Sequence, residues 1–336
     1  MTLLETALTQ ALGIRYPIIQ GPMFLVSNPE LVAAVSNAGG LGSFPAMNYR
    51  TVKELRAALS EIKRLTDQPF GVNLIVNKAN IFLEGQLEAC ADAEVPFFVT
   101  SLGSPKTVIE RAHRYGGKVY SDVTTVAYGH KVRDLGADGL IAVCAGAGGH
   151  AGHISPFVLV PALADQCGLP VVLAGGVADS RGLQAALALG AAGVQCGTRF
   201  IAATECTVTQ EYKDAVVGAH AENIVLTERI SGTWAAVIDT PYVRWLGLKQ
   251  NRLEKFLTTH PTTKRYMKMA LGWRAQRAFG KAAKEPTWKA VWSAGQTVEL
   301  IDRVQPAAEI IRNMVTPLQA QESIAPRKPA RKAVRS

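Results

Sequence analysis

Gly139-Leu140-Ile141-Ala142-Val143, followed after Cys144 by Ala145-Gly146-Ala147-Gly148-Gly149-His150-Ala151-Gly152, joins a short apolar run to a loop with almost no side chains. A run of this length, rich in branched residues and bounded by glycine, reads as a strand buried on both faces of a parallel sheet. The loop lets a large flat ligand approach the backbone closely, because glycine carries no Cβ to hold it off. At the tip, His150 offers an imidazole whose ordinary pKa of about 6.5 suits it to taking or giving a proton near neutral pH. The unit reads as a strand followed by chemistry, with His150 a catalytic base beside a cofactor loop that includes Gly148 and Gly149.

The same pattern extends in both directions. Further short runs occur at Pro17–Gln20, Leu41–Ser43, Phe70–Leu74, Pro96–Thr100, Lys118–Asp122, Pro170–Ala174 and Gly193–Cys196. Between them lie helical stretches. Pro29–Asn37 is preceded by Ser27-Asn28 and closed by Gly39-Gly40, in the positions where caps belong. Thr51–Arg64 places Leu55, Leu59 and Ile62 on one face, and Asp179–Leu189 ends at Gly190. Eight β-α units predict an α/β (β/α)8 TIM barrel with its chemistry at the strand C-terminal ends. An open doubly wound sheet is the weaker alternative, since Gly21-Pro22-Met23 after the first run is not a GxGxxG fingerprint. The barrel is expected over residues 1–200 and 282–320, with a further helix at Thr297–Asp302. Residues 201–281, richer in Thr, Lys, Arg and aromatics, read as a mainly helical insertion over the barrel mouth. Residues 321–336 read as a disordered basic tail.

In such a barrel the loops after strands seven and eight commonly cradle a phosphate with backbone N–H groups. Here they are Ala174-Gly175-Gly176-Val177-Ala178-Asp179 and Cys196-Gly197-Thr198-Arg199-Phe200. Ala174, Gly175, Gly176, Gly197 and Thr198 are therefore candidate phosphate ligands. No Walker lysine accompanies them, which argues against nucleoside triphosphate hydrolysis.

Composition excludes other classes. No apolar run approaches the roughly 20 residues of a membrane span, and the N-terminus lacks a basic region followed by an apolar one. A cytoplasmic protein is expected. The net charge of +9 falls to +4 without the five basic residues among the last ten, so no specific nucleic-acid partner is implied. The five cysteines show no metal-ligand spacing and read as reduced thiols, so no metal is expected. Cys144 is a weak nucleophile candidate, and His153 a competing histidine. His113, His130, His220 and His260 read as surface residues. Monomer and homodimer are both compatible with the sequence.

Taken in order, Gln20-Gly21-Pro22-Met23, Ala38-Gly39-Gly40-Leu41-Gly42, Gly71-Val72-Asn73-Leu74, Ala147–Gly152, Ala174-Gly175-Gly176, Gly197–Phe200 and Trp292-Ser293-Ala294-Gly295 resemble the nitronate monooxygenase family, formerly the 2-nitropropane dioxygenases. The resemblance implies an FMN-dependent TIM barrel that acts on a small alkyl nitronate or nitroalkane with O2, giving a carbonyl compound and nitrite. It places Gly21, Pro22 and Met23 against the isoalloxazine ring and Asn73 near its polar edge. Gly175, Gly176, Gly197 and Thr198 would hold the FMN phosphate, supported by Gln195. Asp122 stands where some relatives carry a lysine near the flavin, and suits a ribityl contact or an ordinary cap. His150 would act as imidazole, abstracting an α-proton, or as imidazolium, holding the nitronate oxygens. FMN-dependent enoyl-acyl-carrier-protein reductases and NADH:quinone reductases share most of these motifs, so an NAD(P)H-dependent FMN reductase is the alternative. A barrel that merely binds FMN or a sugar phosphate explains His150 poorly.

Overall fold

The computed structural model describes residues 3–77, 80–230, 233–250 and 290–324. Eight of the apolar runs become strands: β1 (Ile18–Gln20), β2 (Gly42–Pro45), β3 (Phe70–Ile75), β4 (Phe97–Ser101), β5 (Lys118–Val123), β6 (Gly139–Val143), β7 (Val171–Ala174) and β8 (Gly193–Cys196). They lie parallel in the order β1-β8-β7-β6-β5-β4-β3-β2. A parallel bridge between Ile19 and Leu41 joins the two ends. There Gln20 N donates to Leu41 O (2.9 Å) and Leu41 N to Ile18 O (2.9 Å), closing the α/β barrel. Strand ends differ from the sequence reading by a residue or two.

Helices between the strands arise from local signals. Thr51 caps Val52–Leu65 in a reciprocal capping box with Glu54, and Leu55, Leu59 and Ile62 are buried as their spacing predicts. Asp179 caps Ser180–Ala188 by accepting from Gly182 N. The expected helix at Thr297–Asp302 is a short 3-10 turn, Gln296–Leu300. The final helix, Ala307–Ile324, runs past residue 320 and packs on Pro29–Asn37 and Ser180–Ala188.

Two apolar clusters follow from strand alternation. Outward residues such as Phe98, Val119, Leu140, Ala142, Val171 and Val194 pack against the helices. Inward residues Ile19, Phe97, Val99, Tyr120, Ile141, Val172 and Ala174 fill the barrel, together with Leu8, Leu12 and Ile14. Leu8 and Leu12 belong to the helix Ala7–Leu12, which plugs the N-terminal end. At Gly193, at the start of β8, a Cβ would meet Leu8 Cδ2 at 2.6 Å. The period of two carries the inward set upward to Asn73, Ser101, Asp122, Val143 and Gln195, so the layer nearest the strand C-terminal ends is largely polar.

Within 201–281 the described residues hold helices Gln210–Gly218 and Pro241–Leu246, and an antiparallel pair, β9 (Ile224–Thr227) and β10 (Ala235–Ile238). The sequence reading did not single out this pair, in which Ala235 faces Thr227 and Ile238 faces Ile224. Residues 251–281, including His260, Tyr266 and Trp273, and residues 325–336 lie outside the described residues.

Candidate active site

The loop after β6 is shaped by its glycines and clamped from two sides. Gly149 has φ +66°, a left-handed conformation that side chains rarely tolerate. It forms an antiparallel bridge with Ala236 of β10: Gly149 N donates to Ala236 O (3.1 Å) and Ala236 N to Gly149 O (2.8 Å). On the other side, Gly148 packs directly on Gly295. A Cβ on Gly295 would lie 2.4 Å from Gly146 O, and one on Gly148 would lie 2.8 Å from Gly295 N. Ser293, two residues earlier, bridges to Val237 of β10. Its carbonyl accepts from the Tyr212 hydroxyl at 2.6 Å, while the Tyr212 ring stacks on Trp292 at 5.7 Å. A backbone weld therefore joins the β6 loop, β10 and Trp292–Gly295, and holds His150 at the mouth. His150 reaches solvent, yet protein surrounds it closely enough that burial pushes its imidazole below the ordinary 6.5. Its imidazole therefore stays neutral to lower pH than that of a free histidine.

The β1, β7 and β8 loops meet beside this weld. Gly175 (φ +119°) faces Ala147 N, with 2.9 Å to a Cβ there, whereas Gly176 (φ +83°) faces open space. Ala174 O accepts from Cys144 N (2.9 Å), tying the β7 end to the β6 loop. Thr198 is buried, and its Oγ1 accepts from Gly295 N at 2.9 Å, which leaves the hydroxyl proton free to donate. Gly197 faces the Met23 sulfur at 3.6 Å, and Gly21 packs on Gln195. Gly21 N donates to Cys196 O (2.8 Å), and the Ser27 hydroxyl accepts from Met23 N (2.9 Å) and from the Gln20 amide (2.9 Å). Pro22 contributes no N–H to this loop.

Across the barrel, Asn73 and Asp122 are joined by a residue the sequence reading missed. Asn73 Nδ2 donates to Val99 O (3.0 Å) and to Ser101 Oγ (2.7 Å), and the Ser101 hydroxyl donates to Asp122 Oδ2 (2.5 Å). The only local signal for Ser101 was a hydroxyl ending an otherwise apolar strand. Burial raises the Asp122 carboxyl to about 6, against the lowering effect of the Ser101 hydrogen bond.

The remaining candidates fall away from the site. All five cysteines are buried thiols, and burial pushes Cys144 up to about 12, far from a nucleophilic thiolate. His153 is exposed beyond Gly152. His113 pairs with Asp138 (2.8 Å) and His220 with Glu299 (3.4 Å), both on the exterior. Among the described residues no His/Cys/Asp/Glu group has the arrangement of a metal site, and no helix is long and apolar enough to cross a membrane. Cavities of about 330 and 380 Å³ lie at the opposite, N-terminal end, around Thr9, Arg15 and Asn37.

The mouth fits a flavin mononucleotide on two observations. Gly176 in the β7 turn faces open space, and the Thr198 hydroxyl in the β8 turn keeps a proton to donate, as a phosphate site requires. In the polar top layer, Asp122 Oδ1 and Gln195 Oε1 are buried with no hydrogen-bond partner among the described residues, as expected of groups completed by a ligand.

A family model described as nitronate monooxygenase matches residues 5–84 and 79–317. A nitronate monooxygenase of Paraburkholderia phytofirmans is 32% identical, covering 92% of this chain and 94% of its own. A dehydrogenase of Mycobacterium tuberculosis, named for (3aS,4S,5R,7aS)-5-hydroxy-7a-methyl-1-oxo-octahydro-1H-indene-4-carboxyl-CoA, is 33% identical over 89% of this chain and 85% of its own. Among solved structures, FabK from Thermotoga maritima superposes with a TM-score of 0.82 at 32% identity, over 95% of this chain and 97% of that one.

Proposed function

The chain belongs to the nitronate monooxygenase family of oxidoreductases, and from that premise we propose that it uses FMN and O2 to denitrify an alkyl nitronate or nitroalkane, giving a carbonyl compound and nitrite. The observation that carries this reading is His150, held at the mouth by the Gly149–Ala236 bridge, with surroundings that lower its pKa and so favour the neutral imidazole. A neutral imidazole favours the role of base, taking the α-proton of a nitroalkane, over that of a fixed cation. Gly175, Gly176, Gly197 and Thr198 hold the phosphate. Gly21, Pro22, Met23, Gly148, Gly149 and Ala174 shape the walls, and Asn73, Asp122 and Gln195 meet polar edges. Bound FMN supplies the electron transfer and the reaction with oxygen; the chain supplies position, proton transfer and exclusion of bulk water. Of residues 201–281, the described part that carries β9 and β10 acts as the substrate-side lid, a role supported by the pairing of β10 with the catalytic loop. The enzyme works in the cytoplasm on a small-molecule substrate.

A second reading, an NAD(P)H-dependent FMN reductase acting on an acyl thioester or a quinone, is favoured by the likeness to the carboxyl-CoA dehydrogenase and to FabK. An anaerobic absorbance spectrum separates the two. Bleaching of the flavin by propionate 3-nitronate, with little change on adding NADH, is the expected result. Prompt bleaching by NADH alone would transfer the assignment to the reductase and recast His150 as a proton donor.

A further inference from the structure

Asn73 fixes the direction of the hydrogen bonds across the β3–β4–β5 ends. Both of its donors sit on Nδ2, and they are committed to Val99 O and Ser101 Oγ. Ser101, accepting from Asn73, has its single proton left for Asp122 Oδ2. The chain of bonds therefore ends at Asp122 Oδ1, a buried oxygen without a partner among the described residues, in the top inward layer of the barrel. With Oδ2 already accepting, Oδ1 is the atom that carries the proton when the carboxyl is neutral, and the atom left to meet a ligand.

We propose that Asp122 is the proton-carrying contact of the flavin site: as a neutral acid it donates through Oδ1 to an acceptor on the FMN ring, so FMN binds with uptake of a proton and loosens as Asp122 ionises. This rests on the FMN reading above. The surroundings agree with it. Ser101 and Thr100 on β4 and Ile141–Val143 on β6 carry no charge. The titratable group facing Asp122 from the helix Val126–Asp134 is Tyr128, whose hydroxyl donates to Gly103 O (2.5 Å) and is itself raised by burial and by Asp122. No cation among these groups holds Asp122 ionised. Burial sets its titration near pH 6, within reach of neutral solution. Where a lysine in this position would offer a fixed charge, this chain offers a proton that can leave.

The test is FMN release from full-length protein carrying its flavin, diluted into buffers from pH 5.5 to 7.5 and read by FMN fluorescence. The FMN phosphate titrates in the same range, so each curve is compared with that of Asp122→Asn, in which the phosphate effect is retained. The expected result is a Kd for the unaltered protein that rises about twentyfold more than that of Asp122→Asn across this range. Ser101→Ala removes the bond that lowers the Asp122 pKa, so its midpoint should move to higher pH. Superimposable curves for the unaltered protein and Asp122→Asn would overturn the proposal while leaving the flavin reading intact. A protein that takes up no FMN even at pH 5.5 would remove the flavin reading, and the proposal with it. Should Asp122→Asn fail to fold, the Ser101→Ala midpoint decides: an upward shift supports the proposal and an unmoved midpoint overturns it.

Discussion

His150 shows how far a single residue can be read. Its place at the end of an apolar run, within a side-chain-poor loop, marks it as a candidate for proton transfer. The protonation state it adopts comes from the packing around it. Because its folded pKa lies below 6.5, the neutral base persists to lower pH than in free histidine. His150→Ala should lower nitroalkane turnover by about a hundredfold or more, with flavin content unchanged. In the unaltered protein, the acid limb of the kcat/KM profile should fall below pH 6.5. Steady-state rates from pH 5 to 8 with flavin absorbance on the same samples check both, and equal turnover by the variant would dismiss His150 as the base. Asp122 was legible as a candidate but not its partner. Ser101 lies 28 residues from Asn73 and 21 from Asp122 along the chain, and strand pairing alone makes them neighbours.

At the scale of elements, the glycine turns do two different jobs that look alike in sequence. Gly176 faces open space, as a residue meeting a ligand should, whereas Gly295 faces the backbone of the β6 loop. Gly295→Ala would put a methyl group 2.4 Å from Gly146 O, and backbone cannot step aside cheaply. The expected outcome is loss of most bound FMN and of activity, while far-UV circular dichroism keeps the barrel signature. A suitable control is Gly218→Ala at the end of a helix, where a Cβ meets nothing within 4 Å and stability should stay level or rise by about 0.5 kcal/mol. FMN content after gel filtration reads the difference; full retention in Gly295→Ala would mean the weld is not needed for the site. The β9–β10 pair, which completes the weld, went unread because its strands are only four residues long and because the bridges from β10 to Gly149 and Ser293 join residues remote in the chain.

Across the whole molecule, stability and chemistry occupy opposite ends of the barrel. The helix Ala7–Leu12 seals the N-terminal end, with Leu8 fully buried in the interior cluster. Leu8→Ala should cost about 2–5 kcal/mol through the cavity it leaves. It should leave the FMN Kd and kcat within about twofold at a temperature where the protein stays folded, because catalytic groups sit at the other face. Urea denaturation and flavin titration on one preparation measure both; a large change in FMN affinity would show that the ends are coupled.

The eight-fold rhythm, the Thr51 cap, the glycine turns after β7 and β8 and the histidine loop were written in local sequence, whereas Asn28 heads its helix without a side-chain capping bond. Each depends on chemistry within a few residues: apolar runs bounded by glycine, a threonine three residues before a glutamate, a turn with no side chain. The tertiary structure alone decided which of these meet. It set Gly148 against Gly295, Gly149 beside Ala236, and Ser101 between Asn73 and Asp122. Those juxtapositions follow from strand register and from closure of β1 on β2, which relate residues tens to more than a hundred positions apart and lie beyond any local stretch of chain.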